Sequence, residues 1–88
     1  MKIEFDPAKR EATLLDRELD FLDAPRIFED VTQSAVDSRI AYGETRWITY
    51  GRLDGRFVVL VHTMRGDTIR IISLRYAHQE EIDNAGFG

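Results

Sequence analysis

Two turn signals, Asp54-Gly55 and Gly66-Asp67, bracket the run from Phe57 to Arg65 and decide most of what this chain can fold into. Dipeptides of this kind supply the positive backbone angles that two-residue hairpin turns need, so the runs on either side must pair as antiparallel neighbours. Val58-Val59-Leu60-Val61 is a core strand by composition and continues into His62-Thr63-Met64-Arg65. The chain returns as Thr68-Ile69-Arg70-Ile71-Ile72-Ser73-Leu74-Arg75, and Thr45 to Arg52 precedes both as a further strand. Arginines stand among these isoleucines, although desolvating an unpaired charge costs on the order of several kcal/mol. Arg65, Arg70 and Arg75 therefore need anions.

Two-residue turns also set the register. They place Arg46 opposite Thr63, Thr63 opposite Arg70, and Glu44 opposite Arg65. Side chains directly across a ladder share a face, so Glu44, Arg46, Thr63, Arg65 and Arg70 gather at one end of one sheet face. Ile48, Tyr50, Val59, Val61, Ile72 and Leu74 form the apolar middle of that face. Unbroken pairing leaves Arg75 on the opposite face with Trp47, Leu60, His62, Ile71 and Ser73. Three guanidinium groups beside a carboxylate and a hydroxyl suit a phosphodiester, whose oxygens match arginine's planar fork. A dianionic pentavalent transition state gains most from them, and Glu44 is placed to orient an arginine or take a proton from a ribose 2′-hydroxyl. The plainer reading is a cross-strand Glu44–Arg65 ion pair among solvated edge charges.

Met1 to Phe5 alternates and reads as a short strand. Asp6-Pro7 then starts a helix, with Asp6 as N-cap and Pro7 at the first helical position. Ala8, Ala12, Leu15 and Leu19 recur at helical spacing, which predicts one face packed on a core. A second helix lies between Asp20 and Glu29 and buries Phe21, Ala24, Ile27 and Phe28; Pro25 in its first turn favours Asp23 over Asp20 as cap. Thr32 to Ile40 is a weak strand near an edge, Tyr42-Gly43 a loop, Ala77 to Asn84 a short acidic helix, and Gly86-Phe87-Gly88 a fraying end. The expected domain, residues 1–88, is α+β: strand, two helices, a three- to four-stranded antiparallel meander and a C-terminal helix.

The net charge of −4 disfavours a polyanionic partner until its distribution is considered. From Arg39 to Arg75 seven arginines (Arg39, Arg46, Arg52, Arg56, Arg65, Arg70 and Arg75) face three acids (Glu44, Asp54 and Asp67), giving +4 and leaving −8 for the remainder. Such segregation can build a basic face on an acidic protein, although helices collect acids in any case. The chain has no cysteine, so disulfides and thiolate metal sites are excluded. It lacks an apolar run of membrane-spanning length and a secretion signal, and a cytoplasmic protein without membrane association is expected. His62 reads as a core histidine and His78 as an exposed one. No spacing suggests a metal site or a glycine-rich phosphate loop, so no cofactor is expected.

These residues carry a family resemblance along nearly the whole chain. Glu4-Phe5-Asp6-Pro7-Ala8-Lys9, then Phe21, Ala24, Ile27 and Phe28, then Gly43-Glu44-Thr45-Arg46 and Gly51-Arg52 follow in order. The match is strongest in Val59 to Arg65 and in Arg70-Ile71-Ile72-Ser73-Leu74-Arg75-Tyr76-Ala77, and closes at Glu81. The chain resembles the BrnT family, toxins of type II toxin–antitoxin modules with a fold like that of the RelE ribonucleases. The resemblance implies a metal-independent endoribonuclease that cleaves RNA, inhibits translation and is neutralised by a BrnA-like antitoxin in a hetero-oligomer. Contact with DNA would be indirect, through the antitoxin. The family's basic and polar positions fall on Lys9, Glu44, Arg46, Arg65, Arg70 and Arg75, largely the cluster reached from hairpin geometry. Catalysis is accordingly assigned to Glu44, Arg46, Arg65, Arg70 and Arg75, and substrate binding to Lys9, Thr63 and Ser73.

The chain departs from the family on its first helix. Where the family commonly has Asn and then Lys-His-Gly, this chain has Thr13 and Asp16-Arg17-Glu18, and Phe5 stands where Trp is usual. A second reading follows: a catalytically weakened or inactive homologue that binds its partner in operon autoregulation.

Overall fold

The structure, a computed structural model, describes residues 1–39, 41 and 43–85. The elements are β1 (Lys2–Phe5), α1 (Pro7–Arg17), a 3-10 turn (Phe21–Asp23), α2 (Ala24–Glu29), β2 (Gln33–Val36), β3 (Arg46–Leu53), β4 (Arg56–Arg65), β5 (Thr68–Tyr76) and α3 (Gln79–Ala85). The five strands form one sheet in the order β1-β5-β4-β3-β2. The class is α+β as expected. The sheet is mixed, however, and not antiparallel throughout, because β1 pairs parallel to β5 from Lys2↔Thr68 to Phe5↔Ile71. That pairing joins the two ends of the chain, a long-range choice that local pattern does not encode.

Both hairpin turns form where expected. Asp54 and Gly55 have φ of 51° and 78°, the signature of a type I′ turn, and Gly66 has φ of 63°. The resulting ladders pair Arg46 with Thr63 and Thr63 with Arg70, as the turn lengths require. The β4–β5 ladder then breaks. Val61 pairs with Ser73 and His62 with Ile71, so Ile72 is an extra residue, a β-bulge. From this point every side chain of β5 changes face. Leu74 joins the helix-covered core, fully buried, and does not extend the apolar middle of the other face. Ser73 and Arg75 move the opposite way, onto the face of Arg46, Thr63 and Arg70.

One face of the sheet is covered by the segment Leu19 to Phe28. Leu19, Phe21, Ala24 and Ile27 pack on Leu53, Val58, Leu60, Ile71 and Leu74, with Phe5 edge-on to Phe21 at 5.7 Å. Asp20 caps the 3-10 turn by accepting from the Leu22 N–H at 3.0 Å. Asp23 stands at the N-cap of α2 without a side-chain bond, so the capping bond expected of Asp23 is made by Asp20, at the start of the preceding 3-10 turn.

Asp6 caps α1 as expected, accepting from the Ala8 N–H at 2.9 Å. The apolar stripe of α1 does not reach the core. The helix ends at Arg17, none of its residues is buried, and Leu15 is 79% exposed. Leu19 alone of that stripe is buried, because Glu18 turns the chain through a left-handed conformation (φ 58°) before it. A two-pronged ion pair holds α1 instead, Arg10 donating to Asp20 at 2.8 and 3.0 Å. Arg10 in turn holds the Asp20 carboxyl below the usual carboxylate range.

The weak strand read over Thr32 to Ile40 is the edge strand β2, restricted to four residues; Ile40 lies outside the described residues. So do Tyr42 of the expected loop and the Gly86-Phe87-Gly88 end. The helix read from Ala77 begins at Gln79.

Gly51 of β3 is buried where α2 crosses the sheet. An added Cβ would meet Ile27 Cγ2 at 2.8 Å and Thr32 Cγ2 at 3.2 Å. Ile27 is buried and β-branched, so it cannot swing aside. Gly51→Ala is therefore expected to destabilise the fold by about 1–3 kcal/mol, read from the urea midpoint.

His62 is a core histidine, 8% exposed, with the Phe28 ring edge-on at 5.4 Å. Its Nδ1 has no hydrogen-bond partner among the described residues. Burial lowers its pKa below the ordinary 6.5, so the unfolded chain takes up this proton before the folded one does. This contribution to stability is complete above that ordinary value and is lost as the pH falls below it towards the folded pKa. His62→Phe is expected to flatten the decline in melting temperature between about pH 7 and pH 5.

Candidate functional site

The face of the sheet opposite the core carries a polar row across its central strands. Thr63 of β4 lies between Arg46 of β3 and Arg70 of β5, and the side chains around them are half-buried. Glu44, just before β3, joins Arg46 to Arg65: its Oε2 accepts from Arg46 Nε at 3.1 Å, and Oε1 lies 3.8 Å from Arg65 Nη2. The Glu44–Arg65 contact expected from the register is thus present as an ion pair beyond the end of the ladder. Arg70 meets Glu4 of β1 at 3.4 Å. Glu4 was not foreseen at the site, because only the parallel β1–β5 pairing brings it opposite Arg70.

Thr63 is enclosed, 2% exposed, and its hydroxyl donates to the Thr45 carbonyl at 2.6 Å. It therefore pins the segment that bears Glu44 and Arg46. Arg75 stands on the same face as Arg70 because of the bulge at Ile72, but it is committed. Both its Nη atoms donate to the Glu81 carboxylate at 2.7 Å, and Nη1 also donates to the Tyr76 carbonyl at 3.2 Å. Glu81 accepts from the His78 N–H at 2.9 Å, so the same carboxylate caps α3. Arg75 fastens α3 to the sheet. A strand arginine followed six residues later by a glutamate in the first turn of a helix is the signal that could have found this pair.

Lys9 and Ser73 come together elsewhere. β1 leaves β5 at Ile71, and Pro7 starts α1 two residues after the last β1 residue. Beyond Ile71 the outer edge of β5 carries no strand among the described residues. α1 stands off from this edge and leaves a groove of about 480 Å³. Lys9, Thr13, Asp16 and Arg17 line its helix side and Ser73 its strand side. Ile72, half-buried, supplies the accessible apolar surface, while Phe21 and Leu74 lie fully buried beneath it. Arg17 Nη1 donates to the Leu74 carbonyl at 3.4 Å, and Arg17 Nε is 3.5 Å from Asp16.

The site is thus in two parts along β5: a row of arginines held by glutamates, and a groove at the strand edge. The separation of charge in the sequence is largely offset in space, since Glu4 and Glu81 from outside the basic segment reach its arginines. Among the described residues no group of three or more His, Asp or Glu side chains could hold a metal ion, and no helix is long and apolar enough to cross a membrane.

Comparison with known proteins gives one finding. The family model described as the ribonuclease toxin BrnT of type II toxin–antitoxin systems matches residues 5–81. No curated protein matches the chain.

Arg75 holds the Glu81 carboxyl down at about 2, below the ordinary 4.5. A lowered carboxylate pKa adds stability above the unfolded value, lost as the pH falls from about 4.5 through about 2. Glu81→Gln is expected to melt earlier than the parent at pH 7, and the two melting curves should converge across that acid window. A difference independent of pH would show that the charge on Glu81 is not what fastens α3.

Proposed function

Since this chain belongs to the BrnT family of ribonuclease toxins of type II toxin–antitoxin systems, we propose that it is an endoribonuclease that cleaves RNA without a metal ion at the arginine row of its sheet. The observation that carries the reading is the alignment of Arg46 and Arg70 on either side of Thr63, with Glu44 between Arg46 and Arg65. In the reaction the ribose 2′-oxygen attacks the adjacent phosphorus and the bond from phosphorus to the 5′-oxygen breaks. The products are a 2′,3′-cyclic phosphate and a 5′-hydroxyl. Glu44 takes the 2′-hydroxyl proton, and the departing oxygen is protonated from solvent. Arg46, Arg65 and Arg70 stabilise the charge that builds on the phosphoryl oxygens.

Their ion pairs are partly exposed and loose, worth about 0–1 kcal/mol each, so a phosphate displaces Glu4 from Arg70 at little cost. Lys9 and Ser73 bind the strand alongside, while Thr63 and Arg75 act by positioning. The fold is read as RelE-like. The family places the protein with an antitoxin, which we take to be BrnA-like and to act in the cytoplasm in a hetero-oligomer that reaches DNA only through the antitoxin.

One observation favours the second reading, a non-catalytic homologue. Arg46, Arg65, Arg70 and Arg75 all have carboxylate partners already, and Asp16 stands in the groove. Expression without the antitoxin separates the two: growth arrest with RNA decay supports the enzyme, and harmless expression with retained partner binding supports the module.

Purified protein is expected to cut RNA in excess chelator. Arg70→Ala and Arg65→Ala should each lower the rate by about tenfold or more. Unchanged rates in both variants would remove the arginine row from the mechanism.

A further inference from the structure

The groove between α1 and the outer edge of β5 holds about 480 Å³, and no step of the reaction at the arginine row runs through it. Its origin is local. Four residues of parallel pairing end at Ile71, Pro7 turns the chain into α1, and the polar Arg10–Asp20 pair, not core packing, fixes how far the helix stands off. Its accessible apolar surface comes from Ile72 on the strand side and Ala12 on the helix side, with Leu74 and Phe21 buried beneath. Two cations, Lys9 and Arg17, stand at it against one carboxylate, Asp16, and Thr13 and Ser73 are among the residues that line it. In a chain of net charge −4, this local excess of cations beside Ile72 and Ala12 is a departure from the whole.

We propose that this groove is a nucleotide subsite that takes one base of the RNA strand next to the cleaved bond. The inference rests on the ribonuclease reading above and adds to it the place where sequence preference arises. The bulge puts Ser73 on the face of Arg70, so a strand leaving the arginine row along β5 arrives at the groove mouth. The base lies against Ile72 and Ala12, Thr13 and Ser73 hydrogen-bond its edge, and Lys9 and Arg17 meet the following phosphate. Arg17 is held only by a long bond to the Leu74 carbonyl and by exposed Asp16, so turning it towards a phosphate costs little. The charge balance favours a nucleotide over an extended peptide segment added to the strand edge, which would meet these cations without neutralising them.

The test titrates the four nucleoside 5′-monophosphates into the full chain and follows backbone and methyl NMR signals. Saturable shifts at Ala12, Thr13, Ile72 and Ser73, larger for one base than for the others, are expected. Ala12 is exposed, so Ala12→Trp fills the groove without disturbing the core, and a native spectrum checks this. It should weaken nucleotide binding by about tenfold, the loss of one base-stacking contact. Arg17→Glu should weaken it as well, most at low salt. In RNA cleavage, Ala12→Trp should change which base flanks the cut. Shifts confined to the arginine row, or binding and flanking-base preference unchanged in Ala12→Trp, overturn the proposal, and so does binding of an acidic peptide at the groove in preference to every nucleotide. A chain that cuts no RNA but binds a nucleotide at Ala12 and Ser73 refutes the ribonuclease reading and leaves the subsite standing.

Discussion

β5 has to satisfy three neighbours at once, and the extra residue at Ile72 is how it does so. Towards β4 it must keep a hydrogen-bonded ladder over nine residues, and towards the helices it must present Ile71 and Leu74 to the core. Regular pairing cannot place both side chains on one face, because they are three residues apart and a strand alternates every two. The bulge absorbs the odd residue. Without it Leu74 would turn away from the core, and a buried leucine is worth about 1.5–3 kcal/mol. The same shift sends Arg75 to the face where Glu81 meets it, so core packing, the attachment of α3 and the polar face depend on one irregularity.

The arginines then divide by how tightly they are held. Arg75 has two donors on both oxygens of Glu81 at 2.7 Å, a geometry that fixes orientation as well as charge. Arg65 and Arg70 meet their glutamates at 3.8 and 3.4 Å through single contacts. A guanidinium in the first state is structural. One in the second state is oriented and still exchangeable, which is what a group that must bind a phosphate and release it requires. Charge by itself does not make this distinction, since all three residues are arginines on the same sheet face.

Turn chemistry made the hairpins legible from the sequence: Asp54-Gly55 and Gly66-Asp67 dictated loop length, and loop length dictated that Arg46, Thr63 and Arg70 align. The cap at Asp6 and the buried face of α2 were legible for the same local reasons, whereas Pro25 pointed to Asp23 and not to Asp20, which makes the capping bond. What local pattern could not supply was any choice made between distant segments. The parallel seat of β1 beside β5 brings Glu4 to Arg70, and the capping glutamate Glu81 reaches back to Arg75; neither partner lies on a neighbouring strand of the meander. The stripe on α1 misled because Ala8, Ala12 and Leu15 have helical spacing, while Glu18 ends the helix before Leu19 can anchor it. Burial follows the anchor, and the anchor sits after the turn.

That exterior position of α1 separates stability from binding in this protein. A helix without buried residues contributes little to the core, and α1 is held by Arg10 to Asp20 and by Arg17 to a strand carbonyl. Residues facing the groove, such as Thr13 and Asp16, are therefore free to vary without disturbing the packing of Phe21 or Leu74 beneath them. β5 has no such freedom, since each of its side chains is assigned to a face by the bulge and by the ladder with β4. The departures at Thr13, Asp16 and Arg17 fall on the element that tolerates change, and the aligned arginines fall on the elements that do not.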